Sequence, residues 1–274
     1  MLDVAGLGRI GALMRKDAVD LVQRPGATLP AVAMAFAALA LPFFVVVGVP
    51  LIAGRGLTES DEFGDAAQAS VDRLPETASL SGEALIEAFL FHQFALLLLL
   101  VPVVASMALA THAIIAEKQA RSLEPLLATP LSTAELLAAK TLTPLAFAVI
   151  LMWATLVLYI AGVWMFAEPG VWRSLLSPRS LLMFGLLGPL AALAALLLSV
   201  IVSSRVNDAR SAQQLASLII LPISAAFVVQ MIRFTVVGTP LLVITSAALA
   251  VLNALLLWVG VLVFRRETIL TRWK

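Results

Sequence analysis

Six apolar runs constrain this chain more than any other feature: residues 28–53, 88–112, 142–166, 180–202, 212–232 and 240–264. A helix that crosses a bilayer needs about 20 mostly apolar residues, because hydrocarbon offers its backbone no other hydrogen-bond partner. Each run meets that length, and little chain remains between them. Of the 274 residues 61% are hydrophobic and 13% charged, with a mean hydropathy of +1.03. A soluble domain carries about 25% charged residues, enough to cover its surface. The expectation is an all-α integral membrane protein, one transmembrane domain over 1–274 with no separate soluble domain.

The punctuation of the runs is that of membrane helices. Ser177-Pro178 sets a capping hydroxyl and a first-turn proline before the fourth, and Pro240 opens the sixth. Ser132 and Glu135 form a capping box leading into the third. Pro42, Pro102, Pro144, Pro189 and Pro222 fall within runs, where each removes a backbone donor and can bend a helix. Gly188, Ala191, Ala192, Ala195 and Ser199 give small-x-x-x-small spacings that favour close helix packing, within the subunit or across a dimer.

The first 26 residues are not a cleavable signal, since Arg9, Arg15, Lys16, Asp17, Asp20 and Arg24 interrupt any apolar core. Leu7, Ile10, Leu13, Met14, Val19, Leu21 and Val22 recur near helical spacing, which predicts an interfacial amphipathic helix over 1–26 rather than a frayed tail.

Basic residues set the orientation. With the N-terminus inside, the inner segments hold Arg9, Arg15, Lys16, Arg24, Lys118, Arg121, Lys140, Arg205, Arg210, Arg265, Arg266, Arg272 and Lys274, that is 13 of 18. Arg55, Arg73, Arg173, Arg179 and Arg233 fall outside. The positive-inside rule therefore puts both termini in the cytoplasm, in a plasma (inner) membrane. The connection 54–87 is then external and acidic, with Glu59, Asp61, Glu62, Asp65, Asp72, Glu76, Glu83 and Glu87. It shows no EF-hand spacing and reads as a solvated loop with a short re-entrant helix near Ser81–Glu87.

No Asp, Glu, Lys or Arg lies near the middle of any run, whereas an ion-coupled transporter keeps such groups there despite their cost. Asn253, His92 and His112 are milder exceptions, and a lone membrane Asn is commonly interhelical glue. Catalytic and cofactor motifs are missing as well. There is no H-E-x-x-H, no G-x-S-x-G, no Cys, and none of the 15 glycines precedes a lysine, which excludes a P-loop. No catalytic residue, metal site or cofactor site is expected in this chain. Scattered basic residues without interleaved aromatics argue against nucleic acid.

One polar stretch stands apart, E-K-Q-A-R-S-L-E-P-L-L-A-T-P-L-S-T-A-E-L-L-A-A-K from Glu117 to Lys140, within the inner connection 113–141. Ser122 can cap a short helix with Glu124 and Pro125 in its first turn, and Thr129-Pro130 ends it. Leu126 and Leu127 lie side by side on that helix. It is either a stiff surface offered to a soluble partner or a connector lying on lipid.

These residues resemble the cytoplasmic segment of permease subunits of the ATP-binding-cassette type-2 exporters. Ser203 to Gln214, S-S-R-V-N-D-A-R-S-A-Q-Q, resembles their second cytoplasmic loop, and F-R-R-E-T-I-L-T-R-W-K at the end resembles their tail. Arg121-Ser122 departs from the family's frequent Gly-Thr, and Ala139 from its Gly before lysine. The resemblance implies a transport subunit that forms half of a conduit, as a homodimer or with a sister permease, above two copies of a separate ATPase that holds ATP and Mg. Glu117, Lys118, Arg121, Leu123, Glu124, Pro125, Leu126, Leu127, Thr129 and Pro130 would then form the coupling helix. Glu117, Arg121 and Glu124 would supply charge contacts, and Leu123, Leu126 and Leu127 an apolar knob. Arg205, Asp208 and Arg210 would make a secondary contact. The alternatives are an ion-coupled secondary transporter and an intramembrane or lipid-modifying enzyme.

Overall fold

The structure, a computed structural model, describes residues 25–54, 56–59, 61–119, 133–205, 214, 218, 220–234 and 236–263. Among these residues all regular structure is helical. Helix α1 runs Pro25–Phe43, continues through a wide turn Phe44–Gly48 and ends with Val49–Ala53. Gly54, in the left-handed region at φ 65°, closes it by donating to the Pro50 carbonyl. After a single turn Leu57–Glu59 come α2, Asp61–Ser70, and a turn Pro75–Thr77. Helix α3 comprises Glu83–Phe94, a tight segment Ala95–Leu99 and Leu100–Gln119. Then follow α4 (Thr133–Phe166), the one-turn α5 (Val171–Ser174) and α6, built from Pro178–Leu182, Met183–Leu187 and Gly188–Arg205. Helices α7 (Ile220–Ile232) and α8 (Thr239–Val263) complete the order.

Five helices are long and apolar enough to cross a membrane, and α7 as described is a shorter apolar helix. Large apolar side chains face outward along α1 (Leu29, Phe36, Leu51), α4 (Ile150, Val157, Trp164) and α8 (Ile244, Val251, Trp258). Apolar surface on that scale is stable only against lipid or another protein. The chain is an integral membrane protein.

Three of the prolines act locally in the same way. A proline inside a helix clashes with the carbonyl four residues earlier. For Pro50, Pro102 and Pro189 that residue is Val46, Leu98 or Gly185, and each lies in a non-α turn, namely Phe44–Gly48, Ala95–Leu99 and Met183–Leu187. In the two wide turns the residue before proline donates five back, Val49 to Phe44 and Gly188 to Met183. Rewinding one turn moves the carbonyl away from the ring. Pro42 and Pro144 sit in helix that stays regular around them.

Helix α3 is the axis of the bundle. Across the apolar window of Glu83–Ala113, 94% of residues are buried. Val103 and Met107 pack with Ala191 and Ala195, and further along Ala110 packs with Leu196, Leu197 and Val200. The register advances in the same sense on both helices, so α3 and α6 run parallel. The small-residue spacing is thus used inside the subunit, where Ala192, Ala195 and Ser199 are fully buried. Gly188 lets α4 approach, because a β-carbon there would stand 2.6 Å from Met152 Sδ. Asn253 donates to the Leu190 carbonyl at 2.9 Å, tying α8 to α6 as interhelical glue.

Two sequence expectations change at the start of α3. The short helix near Ser81–Glu87 does not re-enter separately; Glu83 begins the long helix itself. The acidic connection also holds α2, and Glu87 is 8% exposed rather than solvated. The expected interfacial helix over 1–26 lies outside the described residues except for Pro25 and Gly26, which begin α1.

Candidate functional site

Parallel α3 and α6 define two ends of the bundle. At one end they begin, beneath a cap made of Leu57–Glu59, α2 and Pro75–Thr77; at the other they finish, at Gln119 and Arg205. Helix α4 starts at that second end with Thr133 and returns to the cap, where the Glu168 amide donates to Glu87 Oε2 at 2.6 Å.

The second end is where the sequence places its functional segments. Glu117 and Lys118 lie in the last turn of α3, and Arg205 closes α6. Arg121, Leu123, Glu124, Pro125, Leu126, Leu127, Thr129, Pro130, Asp208 and Arg210 lie outside the described residues, as does Ser132 of the expected capping box. What the described chain contributes is topology: the helices flanking both segments converge on one end.

The capped end holds a polar cluster that sequence reasoning did not assemble. His92, on α3, is 1% exposed, and its Nε2 lies 3.9 Å from Glu76 Oε1 in the capping turn. That is within ion-pair reach but too long for a hydrogen bond. Arg179 is drawn into the same place by the local sequence of α6. Ser177 caps the helix by accepting from the Ser180 amide at 3.2 Å, and Pro178 starts its first turn. Arg179 thereby lies 5% exposed with Nε donating to the Val237 carbonyl at 3.0 Å, and it interacts electrostatically with both Glu76 and His92.

The Val237 peptide extends the network. Its amide donates to Gln230 Oε1 at 3.2 Å, while Gln230 Nε2 donates to the Gln93 carbonyl at 3.0 Å. The capping turn, α3, α6, α7 and the entry to α8 are therefore joined by polar contacts at one level. Below it, Tyr159 donates to the Phe91 carbonyl at 2.8 Å, and its ring meets Phe43 and Phe91 edge-on. Above it, Phe63 of α2 stacks edge-on against Phe234, which holds a positive φ of 46°.

The network is not fully paired. Glu76 Oε1, both nitrogens of His92, Arg179 Nη1 and both ends of the Gln93 amide are buried with no protein hydrogen-bond partner. Among the described residues no three His, Asp or Glu side chains converge to hold a metal ion. The sequence hinted at this cluster only through His92, a lone histidine embedded among Phe89, Leu90, Phe91 and Phe94.

Neither a curated protein nor a solved structure matches the chain. A family model described as ABC-2 family transporter protein matches residues 69–259, from the end of α2 through most of α8. That stretch holds the central helix, the capped-end network and both converging segments, and it is more than half of the chain, which therefore belongs to the ABC-2 transporter family.

Proposed function

We propose that this chain is the permease subunit of an ATP-driven exporter, with six spans and both termini in the cytoplasm. The observation that carries the reading is the family match over residues 69–259. Three further features support it. The chain has no P-loop of its own, so its driving force arrives from another subunit. Thirteen of 18 basic residues fall in segments that the rule assigns to the cytoplasm, including those at the end where α3 and α6 finish. The apolar run 212–232 contains α7 and is long enough to span, which brings the five spans to six.

On this reading two soluble ATPase subunits dock beneath a pair of permeases. Residues 117–130 form the coupling helix, with Arg205, Asp208 and Arg210 as a secondary contact. ATP and Mg are bound by the partner, whose closure on ATP moves the coupling helix and alternates the conduit. The capped end then faces outside and is where cargo leaves. The buried charged groups of the capped end sit at helix starts, Glu87 in the second turn of α3 and Arg179 in the first of α6. They do not form the mid-membrane ion path that a secondary transporter needs.

The test is purification of the full chain from its own membrane. A soluble P-loop subunit is expected to co-purify, with ATPase activity in the complex and none in the isolated chain. Transport in proteoliposomes by this chain without any ATPase would overturn the reading.

A further inference from the structure

We propose that the cap is a strap in near balance, and that the Glu76–His92–Arg179 cluster sets that balance. Two opposing sets of groups meet at the turn Pro75–Thr77. Leu74 and Thr77 are fully buried and Ser70 nearly so, which draws the strap down onto α3. Thr77 Oγ1 and Ser70 Oγ are both satisfied locally, by the carbonyls of Leu74 and Ala67, so neither requires water.

The groups directly beneath are not satisfied by the protein. His92 Nδ1 and Nε2 and Arg179 Nη1 are all enclosed when the strap is down, and none has a protein hydrogen-bond partner. Enclosing such atoms costs free energy that water would restore on opening. The 3.9 Å approach of His92 to Glu76 places the groups side by side without closing a hydrogen bond. Phe234, held at a φ of 46° beneath Phe63, adds a strained backbone to the same closed arrangement.

The cluster thus sets how often the strap opens. In the transport reading its lifting is the opening of the exit, and the inference rests on that reading for its purpose. The equilibrium itself belongs to this chain alone. Glu76 and His92 act on it in opposite directions. The Glu76 carboxylate offsets the buried Arg179 charge and so favours closure. His92 brings two unpaired nitrogens, with no hydrogen bond in return, and so favours opening.

The chain has no cysteine, so one introduced thiol reports on one place. Thr77→Cys puts a near-isosteric thiol under the strap, and its labelling rate with a polar maleimide is measured on the full chain in lipid nanodiscs, where both faces are open. Neither ATP nor a partner is needed, so the test stands even if no ATPase is ever found. His92→Leu is expected to slow labelling about tenfold and Glu76→Gln to quicken it by a similar factor. His92→Met, a second apolar replacement, should also slow it. Ser199→Cys, in the fully buried interface of α6, should stay unreactive in every background. Opposite signs at His92 and Glu76 support the strap. Equal signs, no change at either, or labelling at Ser199 as well would overturn it.

Discussion

Gln230 of α7 donates its Nε2 to the backbone oxygen of Gln93 at 3.0 Å, although 137 residues separate them in sequence. The same amide accepts from the Val237 nitrogen at 3.2 Å. One buried side chain therefore joins α7, the central helix and the approach to α8. Gln230→Leu would keep the volume and strand a buried donor and a buried acceptor. A loss of about 2 kcal/mol is expected, read from denaturing-detergent titration of the purified chain. A change below a few tenths would show that the backbone groups find other partners.

Tyr159→Phe separates a hydroxyl from a ring. The ring contacts with Phe43 and Phe91 remain, and only the 2.8 Å bond to the Phe91 carbonyl is lost. The same titration should register about 1 kcal/mol of destabilisation. Tyr159→Ala, which also empties the space of a fully buried ring, should cost about 3 kcal/mol or more.

Close helix approach gives an ordered pair of glycine variants. A β-carbon at Gly162 would stand 2.5 Å from Phe43 Cζ, and that ring is already hemmed by Phe91, Tyr159 and Phe166. At Gly188 the obstacle is the sulfur of Met152, a side chain with more ways to yield. Gly162→Ala should therefore destabilise by about 1–3 kcal/mol and Gly188→Ala by less. Gly64→Ala in α2, where nothing lies within 4 Å, should stabilise by about 0.5–1 kcal/mol. Thermal melts in detergent would give the order of all three.

The coupling proposal predicts a loss of partner without loss of fold. Leu126→Asp with Leu127→Asp should leave the permease in the membrane with an unchanged melt while releasing the ATPase during purification. Full ATPase retention in that double variant would move docking away from residues 117–130.

The helical class, the apolar runs and the caps at Ser177 and Pro240 could be read from the sequence because each is decided within a few residues. The structure agrees on five spans and gives Asn253 the gluing role expected of it. The capped-end network could not be read this way. Its members Glu76, His92, Arg179 and Gln230 are far apart in the chain, and the local cap that starts α6 at Ser177 does not show which distant groups Arg179 meets, whereas Arg173 on α5 is exposed. The start of α3 was misplaced for a related reason. Glu83 and Glu87 look like loop acids by composition, but Glu83 accepts from the Leu57 amide at 3.4 Å and Glu87 from Glu168.

Hydropathy by itself determined that these segments leave water, because transfer out of water depends on the side chains of the segment alone. It did not determine where they go. The apolar windows of Glu83–Ala113 and Thr239–Val261 have nearly equal hydropathy, 2.5 and 2.3, yet 94% of the first is buried in protein and 17% of the second. Lipid and protein interior are alike as apolar solvents, so the choice between them falls to packing and to polar partners. Small residues on α6 and the side chains of Tyr159 and Gln230 close around α3, and only the tertiary structure could decide that.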